Sequence, residues 1–119
     1  MSKRKFLLIP AIVLVSMFSC SKSGGDNPTP PQTLDCSGAA KSFATDVSPI
    51  IQTFCNKSGC HDVASSNGPG PLTNYSQVFS ARSLIKDQVA AGLMPQDRTL
   101  TKTQKEAIVC WINSGAANN

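Results

Sequence analysis

Apolar residues in the second half of the chain recur with helical period and are separated by polar, turn-forming stretches. Val47, Ile50, Ile51 and Phe54 fall three or four apart, the spacing that lines one side of a helix. Ser48 or Asp46 is placed to cap it, Pro49 suits a first helical position, and the stripe runs straight into Cys55. Residues 62–73 have no period and hold Asn67-Gly68-Pro69-Gly70-Pro71, which predicts a loop. Asn74 offers a cap for a segment starting at Tyr75, where Tyr75, Val78, Phe79, Arg82, Ile85 and Val89 predict one interrupted helix or two short ones before Gly92. The pattern leaves the break open within Ser80 to Ser83.

The last element is the clearest. Thr101 with Gln104, and Thr103 with Glu106, both fit capping boxes, Ile108, Trp111 and Ile112 form one apolar stripe, and Gly115 suits the C-terminal cap. No strand pattern of similar quality and no internal repeat is present, so the expected fold class is all-α, with about three to four helices.

The first third of the chain reads differently. Lys3, Arg4 and Lys5 precede an apolar run from Phe6 to Phe18 that ends at Ser19-Cys20, the layout of a secretory signal. The run is too short to span a bilayer comfortably. Because it ends at a cysteine it resembles a bacterial lipoprotein signal, with Phe18 departing from the small residue usual there, and Cys20 is then the expected lipid anchor. Ser21 to Thr33 contains no apolar side chain other than proline and cannot repay ordering entropy, so it predicts a tether. The expected organisation is a signal over 1–19, a flexible linker over 20–34 beginning at lipidated Cys20, and one small domain over 35–119.

Composition follows from that division. The 119 residues carry a formal charge of +4, and removing the three signal cations lowers it to +1, so no nucleic-acid footprint remains. Export implies an oxidising compartment facing the periplasm or cell surface, with a membrane reached through the anchor. A domain this small has a poor surface-to-volume ratio and calls for a staple or a cofactor.

The chemistry concentrates in Cys55-Asn56-Lys57-Ser58-Gly59-Cys60-His61. A histidine directly after the second of two cysteines is the arrangement of c-type haem attachment, usually spelled Cys-x-x-Cys-His. Here four residues separate the cysteines, two more than usual. Gly59, which accepts positive φ, and the small polar Asn56 and Ser58 suit a spacer that bulges outward while its ends stay in place. A second axial ligand is needed, and Met94 in Gly92-Leu93-Met94-Pro95 supplies a soft thioether in a loop.

Together these residues resemble a single-haem cytochrome c domain of bacterial exported proteins, over roughly Phe43 to Asn119. The resemblance rests on Phe43 through Ile51 leading into Cys55, then Cys60-His61, Asn74-Tyr75, Met94-Pro95, Leu100-Thr101 and the ending Trp111-Ile112-Asn113-Ser114-Gly115-Ala116. It implies the class I fold, in which first and last helices cross near one edge of a covalent haem c. It also implies thioethers at Cys55 and Cys60, axial ligands His61 and Met94, one-electron transfer to a redox partner protein, and no catalysis. Where the terminal helices cross, Cys36 and Cys110 are expected to meet in a disulfide, worth on the order of 4 kcal/mol by loop entropy. Ile50, Phe54, Leu72, Tyr75, Leu93, Ile108 and Trp111 are expected around the haem.

Other readings use the same residues. Four cysteines have the right parity for a disulfide framework with a local Cys55 to Cys60 bridge, giving an anchored binding or interaction module without haem. A zinc site on Cys55, Cys60 and His61 needs a fourth ligand, and adjacent Cys and His seldom both reach one tetrahedral ion. An enzyme finds no second histidine, no carboxylate pair at persuasive spacing and no nucleophile beside a base.

Overall fold

The computed structural model describes residues 32–119. The predicted signal, Cys20 and most of the linker lie outside them. The described residues form four helices and no strand, an all-α arrangement.

Helix α1 covers residues 43–55 as a π-helical turn, Phe43–Val47, an α-helical turn, Ser48–Ile50, and a second π-helical turn, Ile51–Cys55. It begins earlier than the sequence pattern suggests, because the cap is Ser42. Its hydroxyl accepts from Thr45 N, and its own amide donates to the Asp46 carboxylate at 2.7 Å. Neighbouring amides are satisfied from the far end of the chain: Phe43 N donates to Asn119 Oδ1 at 2.9 Å and Ala44 N to Asn119 O at 2.8 Å. Pro49 therefore sits inside the helix. In a regular α-helix a proline ring crowds the carbonyl four residues back, and here the turn before Pro49 is a wider π turn.

Helices α2, Tyr75–Ser80, and α3, Arg82–Ala90, are two short helices that share Ala81 as a cap, so the break falls within the expected window. Asn74 caps α2 as expected, its Oδ1 accepting from Gln77 N at 3.1 Å. Helix α4, Lys102–Asn113, carries the full Thr101/Gln104 capping box. Glu106 is not used as a second box; it accepts from Asp35 N at 2.9 Å. Gly115, with φ of 104°, ends the helix. Its N–H donates to Ile112 O and that of Ala116 to Trp111 O, which is the Schellman arrangement.

Helix α4 packs along α3 and against the first turn of α1. Trp111, Ile108, Val47, Ile51 and Val78 are all 0 % exposed and form the centre of the core with Val89 and Leu100. Phe43 lies 5.3 Å from Trp111 and 5.0 Å, edge-on, from Tyr75, between ring centroids, geometry that adds to simple burial. The polar tips find partners nearby: Trp111 Nε1 donates to Ala117 O at 2.8 Å and Tyr75 Oη to Ala116 O at 2.9 Å. Cys36 and Cys110 are joined by a disulfide, with Cα atoms 5.2 Å apart across a separation of 74 residues. Leu34 packs on the core edge just ahead of it.

Candidate functional site

The second π turn of α1 delivers Cys55, and the spacer then leaves the helix as a closed excursion. The carbonyl of Cys55 accepts from both Lys57 N at 2.9 Å and His61 N at 3.1 Å, while Cys60 N donates to Lys57 O at 2.9 Å. Gly59 turns the loop with φ of 79°, a left-handed conformation that glycine adopts without cost. The bond from His61 N to Cys55 O holds the two ends of the spacer together, so the four intervening residues protrude without separating Cys55 from His61.

Cys55, Cys60 and His61 line a cavity of about 620 Å³ together with Met94 and the α3 residues Ile85 and Val89. That volume lies within the ~300–1,000 Å³ usual for cofactor sites. Phe54 and Leu72 also contribute to its wall. Both thiols are free; no Cys55 to Cys60 bridge is formed. Burial pushes the Cys55 thiol up to about 11, with the neighbouring Cys60 adding to the effect.

His61 is held from behind. Its Nδ1 lies 2.9 Å from the carbonyl oxygen of Gly70, and because a carbonyl only accepts, Nδ1 is the donor. In a neutral imidazole this leaves the Nε2 lone pair available, the arrangement a metal-ligating imidazole requires. Gly70 reaches this position in a left-handed conformation, φ 86°, between Pro69 and Pro71. The loop is pinned again by Leu72 N donating to His61 O at 2.9 Å.

Met94 arrives by a second Schellman arrangement at the end of α3. Gly92 N donates to Val89 O at 3.1 Å, Leu93 N to Gln88 O at 2.9 Å, and Gly92 has φ of 71°. Met94 turns into the cavity wall and Leu93 turns out, 60 % exposed, contrary to the expectation that Leu93 packs inward. Ile50, Tyr75, Ile108 and Trp111 also depart from expectation: they are absent from the cavity wall. Ile108 and Trp111 are fully buried in the core, and Ile50 and Tyr75 pack against it.

The Cys and Met loops are tied to each other. Asp97 takes Arg98 Nη2 at 2.8 Å and Lys57 Nζ at 3.5 Å, and the Arg98 guanidinium lies 5.5 Å over the Phe54 ring. The hydrogen bond from Arg98, helped by both nearby cations, holds the Asp97 carboxyl down at about 2. None of Lys57, Asp97, Arg98, Asn67 or Gly70 stands out in the sequence as a site residue; the only local signal is turn chemistry around Asn67-Gly68.

Among the described residues, no three His, Cys, Asp or Glu side chains converge to hold a metal ion by themselves. The donor set instead suits a group that brings its own equatorial ligands: two free thiols, one imidazole with a free Nε2 and one thioether, on the wall of a single largely apolar cavity. Comparison with protein-family models, with curated proteins and with solved structures gave no match.

Proposed function

We propose that the protein is a single-haem electron carrier, exported and held to a membrane by a lipid on Cys20, which passes single electrons to and from a redox partner protein. The observation that carries the reading is the Nδ1 bond of His61 to Gly70 O at 2.9 Å, which leaves Nε2 as the ligating nitrogen of a residue that lines the same cavity as Cys55, Cys60 and Met94. Cys55 and Cys60 would hold the porphyrin as thioethers, and His61 and Met94 would be its axial ligands. Haem supplies a one-electron iron couple there.

The chain's own residues do the rest. The Gly70 carbonyl fixes the imidazole tautomer and raises its basicity as a donor. Ile85, Val89, Leu72 and Phe54 give the cavity apolar walls, which together with a thioether ligand would favour a higher potential. The Lys57–Asp97 pair links the loop bearing Met94 to the spacer that leads to Cys60, with Arg98 fixing the Asp97 carboxylate from its own loop. The tether predicted over Ser21 to Thr33 would let the anchored domain reach its partner.

The test is expression of the full chain with the c-type maturation machinery, a reduced visible spectrum, and acid-acetone extraction. A sharp reduced α band from haem that stays with the protein supports the reading, and haem that extracts freely overturns covalent attachment. Met94→Ala should lower the potential and perturb the low-spin spectrum, and His61→Ala should abolish a stable holoprotein. A protein that folds with its Cys36–Cys110 bridge and takes up no haem would favour a stapled binding module instead.

A further inference from the structure

The spacer between Cys55 and Cys60 is held from outside itself. Asn67 Nδ2 donates to Gly59 O at 3.0 Å and to Cys60 O at 3.2 Å. An amide NH2 has two hydrogens, and each is taken by a successive carbonyl at the point where the excursion returns. Ser65 Oγ donates to Cys60 O as well, and accepts from Asn67 N at 3.1 Å. Asn67 O in turn accepts from Gly70 N at 3.0 Å, and Gly70 is the residue whose carbonyl orients His61. One side chain thus touches the end of the spacer, while its own backbone supports the residue behind the imidazole.

We propose that Asn67 is the positioning residue that makes a four-residue spacer workable, fixing the Gly59–Cys60 backbone so that Cys60 and His61 are presented together to the cavity. The inference rests on the haem reading above for its purpose, and on the hydrogen bonds alone for its geometry. A longer spacer has more conformations available than the usual two-residue one, and Gly59 adds to them. Inside residues 56–59 the returning end is held by one backbone bond, Cys60 N to Lys57 O at 2.9 Å, while the side chains there are used elsewhere: Asn56 Nδ2 on Gln52 Oε1 at 2.6 Å and Lys57 Nζ on Asp97. Asn67, with its side chain on the cavity wall beside Cys60, is the residue that holds both Gly59 O and Cys60 O, and its N–H also positions the Ser65 hydroxyl that donates to Cys60 O. Aspartate at this position has no hydrogen to give and would set a carboxylate against two carbonyl oxygens.

The experiment compares wild type with Asn67→Asp and Asn67→Ser in two states. In the protein made without haem, alkylation of Cys60 should be on the order of tenfold faster in both variants, as the hydrogen bonds to Gly59 O and Cys60 O are lost, with Cys55 alkylation unchanged. In protein matured with haem, peptide mass spectrometry should find the Cys55 thioether retained and the Cys60 thioether lost from a measurable fraction of chains. Deleting Lys57 and Ser58, which restores a two-residue spacer, should remove the sensitivity to Asn67→Asp. Retention of the Cys36–Cys110 bridge and of Trp111 fluorescence shows that a variant is folded. Wild-type alkylation rates in both folded variants, or both thioethers at wild-type yield, overturn the proposal. A wild-type protein that takes up no haem overturns the haem reading instead, and the alkylation comparison then decides the role of Asn67 by itself.

Discussion

The imidazole of His61 donates from Nδ1 to the carbonyl of Gly70, nine residues along the chain, across 2.9 Å. Histidine and acceptor belong to one loop, so the loop's backbone decides which ring nitrogen is free. Gly70 holds φ of 86° to make this contact. Gly70→Ala should therefore cost about 1–2 kcal/mol, the left-handed penalty for a residue with a Cβ. Urea unfolding measures that loss, and NMR of the unloaded protein should show the Nδ1–H signal of His61 weakened or gone. An unchanged tautomer in a destabilised variant would separate backbone strain from ring orientation.

Trp111 is fully buried, its ring set against Phe43 and its N–H bonded to Ala117 O. Trp111→Ala should cost about 3–5 kcal/mol by cavity formation, a large share of the ~5–15 kcal/mol that stabilises a typical domain. Thermal unfolding of the variant should begin near ordinary growth temperatures. Because Trp111 lies behind the cavity and not on its wall, the loss should appear with or without haem.

The Cys36–Cys110 bridge spans 74 residues and joins the segment before α1 to the buried face of α4. Replacing both cysteines by serine should destabilise the domain by about 2–5 kcal/mol, chiefly by releasing the unfolded chain. The expected result is a lower urea midpoint, together with loss of the difference between reducing and non-reducing unfolding curves that the wild type should show.

Asp97 gives an acid-dependent prediction. Its carboxyl sits at about 2, below the 3.8 of an unperturbed aspartate, because Arg98 and then Lys57 favour the charged form. A depressed folded pKa contributes stability that is fully present above the unfolded value and is lost as pH falls through about 2. Stability of Asp97→Asn should therefore depend less on pH between about 4 and 2 than that of wild type. Some dependence should remain, since hydrogen bonds also hold Asp35 and Glu106 below their ordinary values, from Ser37 and Lys102 respectively. Denaturant midpoints taken across this interval, with salt held constant, check the difference.

How much of this is legible in the chain varies element by element. The α4 capping box, the Asn74 cap and the two glycine-terminated helix ends could be read directly, because each is made by residues within six positions of one another. The start of α1 could not, since the partners that satisfy Phe43 and Ala44 belong to Asn119, more than seventy residues away. Sequence spacing offered Ser48 or Asp46 as the cap, whereas the cap is Ser42, with the next two amides satisfied by Asn119.

The candidate site divides in the same way. Residue type and order single out Cys55, Cys60, His61 and Met94, because thiol, imidazole and thioether chemistry is written in the side chains themselves. Only the folded chain brings them to one cavity, turns Leu93 out as Met94 turns in, and separates the Trp111 core from the cavity wall. The supporting residues Asn67, Gly70 and Asp97 act through geometry and not through unusual chemistry. An amide, a carbonyl and a carboxylate are ordinary groups until tertiary structure aims them at the spacer, the imidazole and the Lys57 ammonium. Residue types and their order name the candidate donor atoms, and the fold alone settles what orients them, because orientation depends on hydrogen bonds made across loops that no local pattern encodes.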